Sequence, residues 1–525
     1  MTHCPNCGVR SAQSARLLSL FDSLGPIMSG PSSSHTAGMV RIGRMGRAFI
    51  NGTPDHITLH FFGALSHTYK GHASDSAVVA GLIGEHEDSP NIRHALELAR
   101  KQGVTVAIST HPDSDRNPNT VSMELSCNGK IRRVAGISVG GGEIEMTELE
   151  GFSLCLRGNE SGALFIGRNG LSREDFESRL GPLAAFSSVQ NKEGRTLYQC
   201  LTQNSSPAQN PFPDLEFFPV RPILDNRLAD PDPLFATFAD MVQQAGDDLP
   251  GLIERYEMRR SGVTQASVRA AVQHSWEIMK ASVQKGLTEK NDLLAGFLPG
   301  DDGIRLARRA EAGLTLSGRV VGLSVARALA VMENNGAMCC VVAAPTAGAC
   351  GVLPGAFLSV AEERHLSDDA IIDGLLVAAA VGVLIAMRAP ISGALGGCQS
   401  EIGVASAMTA AGLVQLGGGT PEQTAQAAAI ALKNMLGLIC DPVAGPVEIP
   451  CIKRNAVGVA NAFAAADMAL AGIASRIPPD QVVDALINVQ GLLHPDLRGN
   501  LRGGLASTAT GKALKDEWYD RMKTM

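Results

Sequence analysis

The sequence predicts an α+β domain in its first third followed by an all-α domain. Three observations carry this. Residues 56–146 hold four short stretches of strand character, residues 204–236 are crowded with Pro, Asn and Asp, and nearly everything after residue 237 has helical periodicity or Ala-rich composition. The 525 residues are 45% apolar and 18% charged, with only two Trp and four Tyr, which suits cores of tightly packed Ala, Gly, Leu and Val rather than an aromatic-rich binding surface.

Residues 1–17 read as a tail. Its CPNC is half a zinc knuckle with no second pair, and the segment lacks the apolar stretch of a signal peptide, so a cytoplasmic location is the default expectation. Residues 18–150 form the α+β domain. GMVRIGRMGRAFI sets Met39, Ile42, Met45 or Gly46, and Phe49 on one helical face, and HITLHFFGAL, GVTVAIST, TVSMELSC and VAGISVGGGEIEM alternate as strands between Gly, Asn, Asp and Pro turns. Residues 151–203 alternate strand, helix and strand signals and read as a small appended βαβ-like module. Residues 204–236 read as a linker without regular structure.

Residues 237–525 read as helices broken by Gly- or Pro-rich loops at 296–303, 345–355, 388–403, 417–421 and 441–451. The longest apolar run, LLVAAAVGVLIAM, is 13 residues. A bilayer span takes about 20, so this is expected to be a buried helix, and no membrane partner is expected. The net charge of −7 argues against a nucleic-acid partner, which would require a basic stripe. Ala- and Gly-rich helical surfaces make a homodimer the expected assembly.

Three cysteines stand in Gly- or Pro-bound loops: Cys398 in GGCQSEIG, Cys440 in LICDPVAGPVEIP and Cys451 in IPCIKRNA. Four thiolates would close a structural site, whereas three can hold a metal cluster with one iron left open as a Lewis acid. The separations, 41 residues and then ten, are not the short paired knuckles of a zinc ribbon. The alternative is three buried thiols packed as small hydrophobes, with Cys350 as the comparable competitor. Eleven cysteines in all, an odd count, read as reduced thiols or ligands rather than disulfides.

Other loops offer ligand-binding chemistry. GPSSSHTAG gives Ser32, Ser33, Ser34, His35 and Thr36 just ahead of a helix, where hydroxyls and free N–H groups would hold a carboxylate; a merely well-capped helix is the alternative. YKGHASDSA places Lys70 and His72 in a turn before Asp75, a proton-transfer group with an orienting carboxylate or else a solvated loop. APTAGACGVLPG and APISGALGGCQSE permit close backbone approach to a small ligand, or simply tight helix packing. No P-loop is present: TATGKAL lacks both the spacing and the Ser or Thr after Lys512.

GPSSSHTAG, YKGHASD, ISVGGG, AAPTAGACGVLPG, ISGALGGCQSEIG, ALKNMLGLICDPVAGPVEIPCIKRNA and RGGLA, in this order, resemble the iron-sulfur L-serine dehydratases. The resemblance implies a β-type α+β domain fused to an α-type catalytic domain, with residues 151–203 where two-chain relatives often carry an ACT-type module, here eroded. It implies a four-iron four-sulfur cluster held by Cys398, Cys440 and Cys451, without pyridoxal phosphate, and β-elimination of L-serine to pyruvate and ammonia. His72 and His35 would be catalytic. Ser32, Ser33, Ser34, Thr36, Lys70, Thr346, Ser392 and Arg388 would bind the small amino-acid substrate at the domain interface.

Two departures from the family pattern stand out. Arg388, Ala389 and Pro390 replace a polar Asn-Ala-Ser stretch, and Gly499 and Asn500 replace a Glu-Thr pair. A guanidinium gained and a carboxylate lost would re-tune the pocket toward another β-hydroxy amino acid. A non-catalytic serine and redox sensor, and a zinc-bound structural protein, are the rivals from other classes. The family's C-terminal capping cysteine is not found, so autoinhibition by the tail is not expected.

Overall fold

A computed structural model describes residues 17–168, 170–191, 193–203, 206–224 and 228–524. Cys4 and Cys7 of CPNC lie outside the described residues. Residues 18–29 are built into the helical part rather than the α+β part. Leu18, Leu20 and Leu24 are buried in its core, and the Glu257 carboxylate accepts bonds from Ser19 Oγ at 3.0 Å and Leu20 N at 2.9 Å. Strand β1 (Ile27–Ser29) then pairs antiparallel with Cys340–Val342. Residues 18–29, expected within the α+β domain, thus pack with the helical part, which includes one short strand.

The helix Gly38–Ile50 buries Met39, Ile42, Met45, Gly46 and Phe49, the face that its spacing predicts. Strands β2 (His56–Phe62), β3 (Thr105–His111), β4 (Thr120–Cys127), β5 (Lys130–Gly140), β6 (Glu143–Leu149) and β7 (Phe152–Leu156) form one sheet in the order β3-β2-β4-β5-β6-β7. Only β2 and β3 run parallel, and a parallel neighbour needs a long crossover, here containing the helices Ser74–Ile83 and Ala95–Lys101. Ile57, Leu59 and Phe61 alternate inward on β2 and share a core with Met39, Ile42, Val78 and Leu82.

The appended module differs from expectation at both ends. Phe152–Leu156 belongs to the first sheet, and the segment expected to be an irregular linker supplies a strand. β8 (Ser161–Arg168), the helix Arg173–Leu180, β9 (Ala185–Gln190), β10 (Arg195–Thr202) and β11 (Glu216–Val220) make an antiparallel sheet in the order β11-β8-β10-β9. That is the order of a split βαβ unit, with no second helix among the described residues between β10 and β11. Pro219 reads as a breaker in sequence, yet β11 lies at the sheet edge, where a missing N–H costs no ladder bond. One face closes over Phe165, Phe176, Tyr198 and Phe212. The other sends Leu164, Ile166, Leu197 and Phe218 into the first domain's core, where the Phe218 ring meets Phe49 edge-on at 6.3 Å.

In the helical part, Asp368–Ala386 is the one helix among the described residues long and apolar enough to cross a membrane. It is buried instead, packed on Val404–Leu416 at the centre of the largest core. The last helix, Ala509–Thr524, returns to the N-terminal domain, where Tyr519 Oη donates to the His67 carbonyl at 2.8 Å. The two parts thus interlock from both ends of the described chain.

Candidate active site and metal centre

Two of the three predicted cysteines lie at helix starts and the third in a loop. Cys398 precedes a π-helical turn, Gln399–Gly403, that opens the helix Val404–Leu416. Cys451 is the first residue of the helix Cys451–Leu470, so its thiol sits at the positive end of twenty residues of aligned peptide dipole. Cys440 lies in the loop between, pinned by Cys440 N to Leu497 O at 2.8 Å and Gly499 N to Cys440 O at 2.7 Å. The Cys398 and Cys440 sulfurs and a Glu401 carboxylate oxygen all lie within 4.8 Å of one another. Cys451 is close enough that Cys398 and Glu401 act on its titration.

Protonation follows from this crowding. The Cys440 thiol is pushed well up, first by its hydrogen bond with Cys398 and then by burial; burial comes first for Cys451. The Cys440 and Cys451 thiols, so raised, hold their protons, and metal binding would release them. Arg454 Nη1 reaches Cys398 Sγ at 3.4 Å while the same guanidinium pairs with Asp441 at 2.7 Å, so one positive charge faces the sulfurs. Glu401 Oε1 accepts from Thr346 Oγ1 at 3.0 Å. A Cβ on Gly393 would sit 2.6 Å from Glu401 Oε2 and 3.2 Å from Cys440 Sγ, so only glycine keeps this cradle open. Three soft thiols in a glycine-lined cradle, with a cation and a carboxylate alongside, fit an iron-sulfur group.

The α+β domain contributes the histidines. Ser32 Oγ accepts from His35 N at 3.1 Å, capping the Ser33–Ala37 turn. Ser33 is buried and Ser34 half-buried beside it. Thr36 Oγ1 donates to the His72 carbonyl at 2.8 Å, which joins the two motifs. The His35 and His72 rings stack at 4.7 Å, and His35 Nε2 lies 3.3 Å from Asn119 Oδ1. Burial lowers the pKa of both; His72 is held well below 6.5, with His35 adding repulsion. His72 Nδ1 is buried with no hydrogen-bond partner. A buried polar atom without a partner is costly and marks a place where a ligand belongs.

These loops are pressed against the cysteine loops. A Cβ on Gly71 would lie 2.9 Å from Gly445 C and Pro446 N, between Cys440 and Cys451 in sequence. Asn335 Nδ2 donates to Pro31 O at 2.9 Å, fixing the start of the Ser-rich motif. The β5–β6 turn, where Gly140, Gly141 and Gly142 all have positive φ, approaches Ser392, which is buried at the start of the short helix Gly393–Gly396. Ser392 also lines a cavity of about 720 Å³ together with Arg41, His274, Pro390 and Ile27, which none of the three cysteines lines.

Three charged side chains have partners of their own. The Arg388 guanidinium donates to Asp480 at 3.2 Å and pairs with Asp484. Lys70 Nζ points to Met522 O at 3.5 Å on the last helix. Asp75 does not orient His72; its carboxylate accepts from Ser76 N, and His35 is the neighbour of the His72 ring. Spacing along a chain gives nearness without direction, so it does not tell which way these charged groups turn. Glu401, three residues after Cys398, was missed; its signal is the C-x-x-E spacing across one helical turn. Of the two sequence departures, Gly499 touches the site, its virtual Cβ 3.4 Å from Cys440 Sγ, whereas Asn500 caps Pro495 O.

Comparison with known proteins matches the family model "Serine dehydratase alpha chain" to residues 194–506 and "Serine dehydratase beta chain" to residues 19–115. The chain belongs to the serine dehydratase family. Its α and β parts, separate models, are here one polypeptide, and the α match reaches back into β10 of the appended module. Among curated relatives, "L-serine dehydratase 2" of Escherichia coli is 31% identical over 516 residues, covering 93% of this chain and 98% of the relative. "Probable L-serine dehydratase, alpha chain" of Bacillus subtilis is 47% identical over 263 residues, 50% of this chain and 87% of the relative. The alpha chain of the Peptoniphilus asaccharolyticus L-serine dehydratase is 37% identical over 283 residues, 53% and 95%.

Proposed function

We propose that this chain is an L-serine ammonia-lyase whose Cys398, Cys440 and Cys451 hold a four-iron four-sulfur cluster, without pyridoxal phosphate. The observation that carries this reading is the grouping of Cys398, Cys440 and Glu401 on the helical side together with the stacked His35–His72 pair, whose Gly71 loop presses on Gly445 and Pro446 between Cys440 and Cys451. Bound there, a cluster supplies Lewis acidity toward the β-hydroxyl of the substrate, a poor leaving group without it. The chain's own residues do the rest. Ser32, Ser33 and Ser34 and the free N–H groups of their turn grip the carboxylate, and Thr36, whose hydroxyl donates to the His72 carbonyl, ties that turn to the His72 loop. His72, neutral at neutral pH because burial holds its pKa down, takes the Cα proton. Loss of that proton and of the β-hydroxyl removes one water and leaves 2-aminoacrylate, which tautomerises and hydrolyses to pyruvate and ammonia.

Thr346 holds Glu401, and Ser392 walls the substrate space. A second reading, a lyase tuned to another β-hydroxy amino acid, is supported by Gly499, which leaves room against Cys440 where relatives of this pattern carry a larger side chain. Arg388 no longer argues for it. L-threonine adds one methyl group, which costs about 1–3 kcal/mol in a fitted pocket. The test is anaerobic reconstitution with iron and sulfide, absorption and EPR spectra, and a pyruvate assay against Cys440→Ala. A cluster with serine-dependent pyruvate, both lost in the variant, supports the reading. A cluster without turnover on serine moves it to another substrate or to the sensor, and tightly held zinc in place of iron overturns it.

A further inference from the structure

We propose that Arg454 is a positioning residue of the metal centre: it braces the three cysteine segments against one another, and its N–H donation to the Cys398 sulfur raises the reduction potential of the group they hold. The inference rests on the cluster reading and adds a residue to it. Three observations carry it. One guanidinium meets every cysteine segment: Nη1 donates to Cys398 Sγ at 3.4 Å and to Ile439 O at 2.9 Å, and Nη2 pairs with Asp441 Oδ1 at 2.7 Å. Ile439 and Asp441 flank Cys440, and Arg454 follows Cys451 by three residues on the same helix. The placement does not serve that helix. A cation in the first turn of Cys451–Leu470 lies at the positive end of the dipole, where it is disfavoured, so its stabilising partners are the sulfur and the carboxylate that it faces. Finally, the cation is held from behind: Asp441 Oδ2 accepts from Leu505 N at 2.9 Å, and the Arg454 side chain is only 15% exposed.

The chemistry of the group gives it two effects. A guanidinium is always charged and its donors are fixed in one plane, so a single side chain sets Cys398 against the Cys440 loop before any metal arrives. Bringing thiolates together out of water is costly unless an opposite charge is paired with them, and the neighbouring cations are engaged elsewhere: Lys453 with Asp302, and Arg498 Nε with Leu493 O at 3.0 Å. Hydrogen bonds to the ligand sulfurs and net charge are levers on the potential of an iron-sulfur group. A donor on Cys398 draws electron density from the sulfur and favours the reduced state, so the potential rises with Arg454 and falls without it. Asp441 offsets part of the charge but not the hydrogen bond.

The experiment uses the full chain, reconstituted anaerobically, in wild-type, Arg454→Lys and Arg454→Gln forms, with far-UV circular dichroism to verify folding. The midpoint potential is read by EPR-monitored redox titration, and iron release to a ferrous chelator is timed without oxygen. The expected result is a lower potential in Arg454→Gln and one nearer to wild type in Arg454→Lys, which keeps the charge. Iron should leave both at least about tenfold faster, because neither carries the planar fork. An unchanged potential in Arg454→Gln overturns the proposal, since a mere brace would alter iron release alone. Should neither variant fold, wild type grown on 15N-labelled arginine supplies the test: pulse EPR of the reduced protein should show coupling to a guanidinium nitrogen, and no coupling overturns the proposal. A wild type that takes up no iron overturns the cluster reading itself, and this proposal with it.

Discussion

The two sides of the interface solve different problems. On the helical side, Cys398, Cys440 and Cys451 hang from helix starts and a backbone-pinned loop, surrounded by Gly and Ala that keep side chains out. That side is a cage for a fixed occupant. On the α+β side, His35 and His72 lean on each other, Asn119 and Ser32 set the orientation of the pair, and one ring nitrogen has no partner. That side is built for something that comes and goes. On the proposed reading, metal-holding and proton-moving functions fall to different domains, and activity would depend on their register.

The largest effect is expected at the cage. Cys440→Ala removes one of three thiolates and should abolish iron and sulfide retention together with pyruvate formation, as metal analysis and the coupled assay will read. The histidine side should separate the two properties. His72→Gln should keep the cluster's absorption and lower kcat about 10²–10⁴-fold, the usual worth of a positioned proton carrier. The pH profile follows from the depressed His72 pKa. Its imidazole stays neutral and basic until the pH drops below 6.5, so the acid limb of kcat/KM should lie below that ordinary value. Stability should move in the same direction. The unfolded chain protonates both imidazoles at a higher pH than the folded one, so their contribution is intact above 6.5 and is lost as the pH falls below it.

Register comes next in size. Gly71→Ala places a methyl 2.9 Å from the Gly445–Pro446 backbone and should cost about 1–3 kcal/mol in chemical denaturation. Activity should fall further than stability, because the displaced loop carries His72. The smallest effect is expected at Arg388. Its ion pairs with Asp480 and Asp484 are partly exposed, so Arg388→Asn should change stability by no more than about 1 kcal/mol and leave the ranking of serine against threonine unchanged. A changed ranking would return this residue to the pocket.

Legibility in the sequence followed the same divide. The cysteines could be picked out because Gly and Pro mark loop ends, and strands β2 to β4 because alternation is a strong local signal, whereas VAGISVGGGEIEM, one stretch in sequence, divides into β5 and β6 at its three glycines. The helix Gly38–Ile50 presents the expected face for the same reason. What escaped was set by tertiary partners. Glu216–Val220 passes for linker because Pro219 masks a strand whose edge position tolerates it, and Phe152–Leu156 follows the first sheet rather than the module beside it in sequence. Glu401 passes for a solvated helix-start carboxylate until Thr346, 55 residues upstream, is seen bonded to it. Arg388, Lys70 and Asp75 are correctly placed near the site along the chain, but their side chains answer to Asp480, Met522 and Ser76.

The most direct test of the account is a single protein, His72→Gln, reconstituted anaerobically and mixed with L-serine while the cluster spectrum and pyruvate are followed together. The account predicts an intact cluster whose EPR signal still shifts on serine addition, with pyruvate production all but lost. Wild-type rates of pyruvate formation from that protein would contradict it.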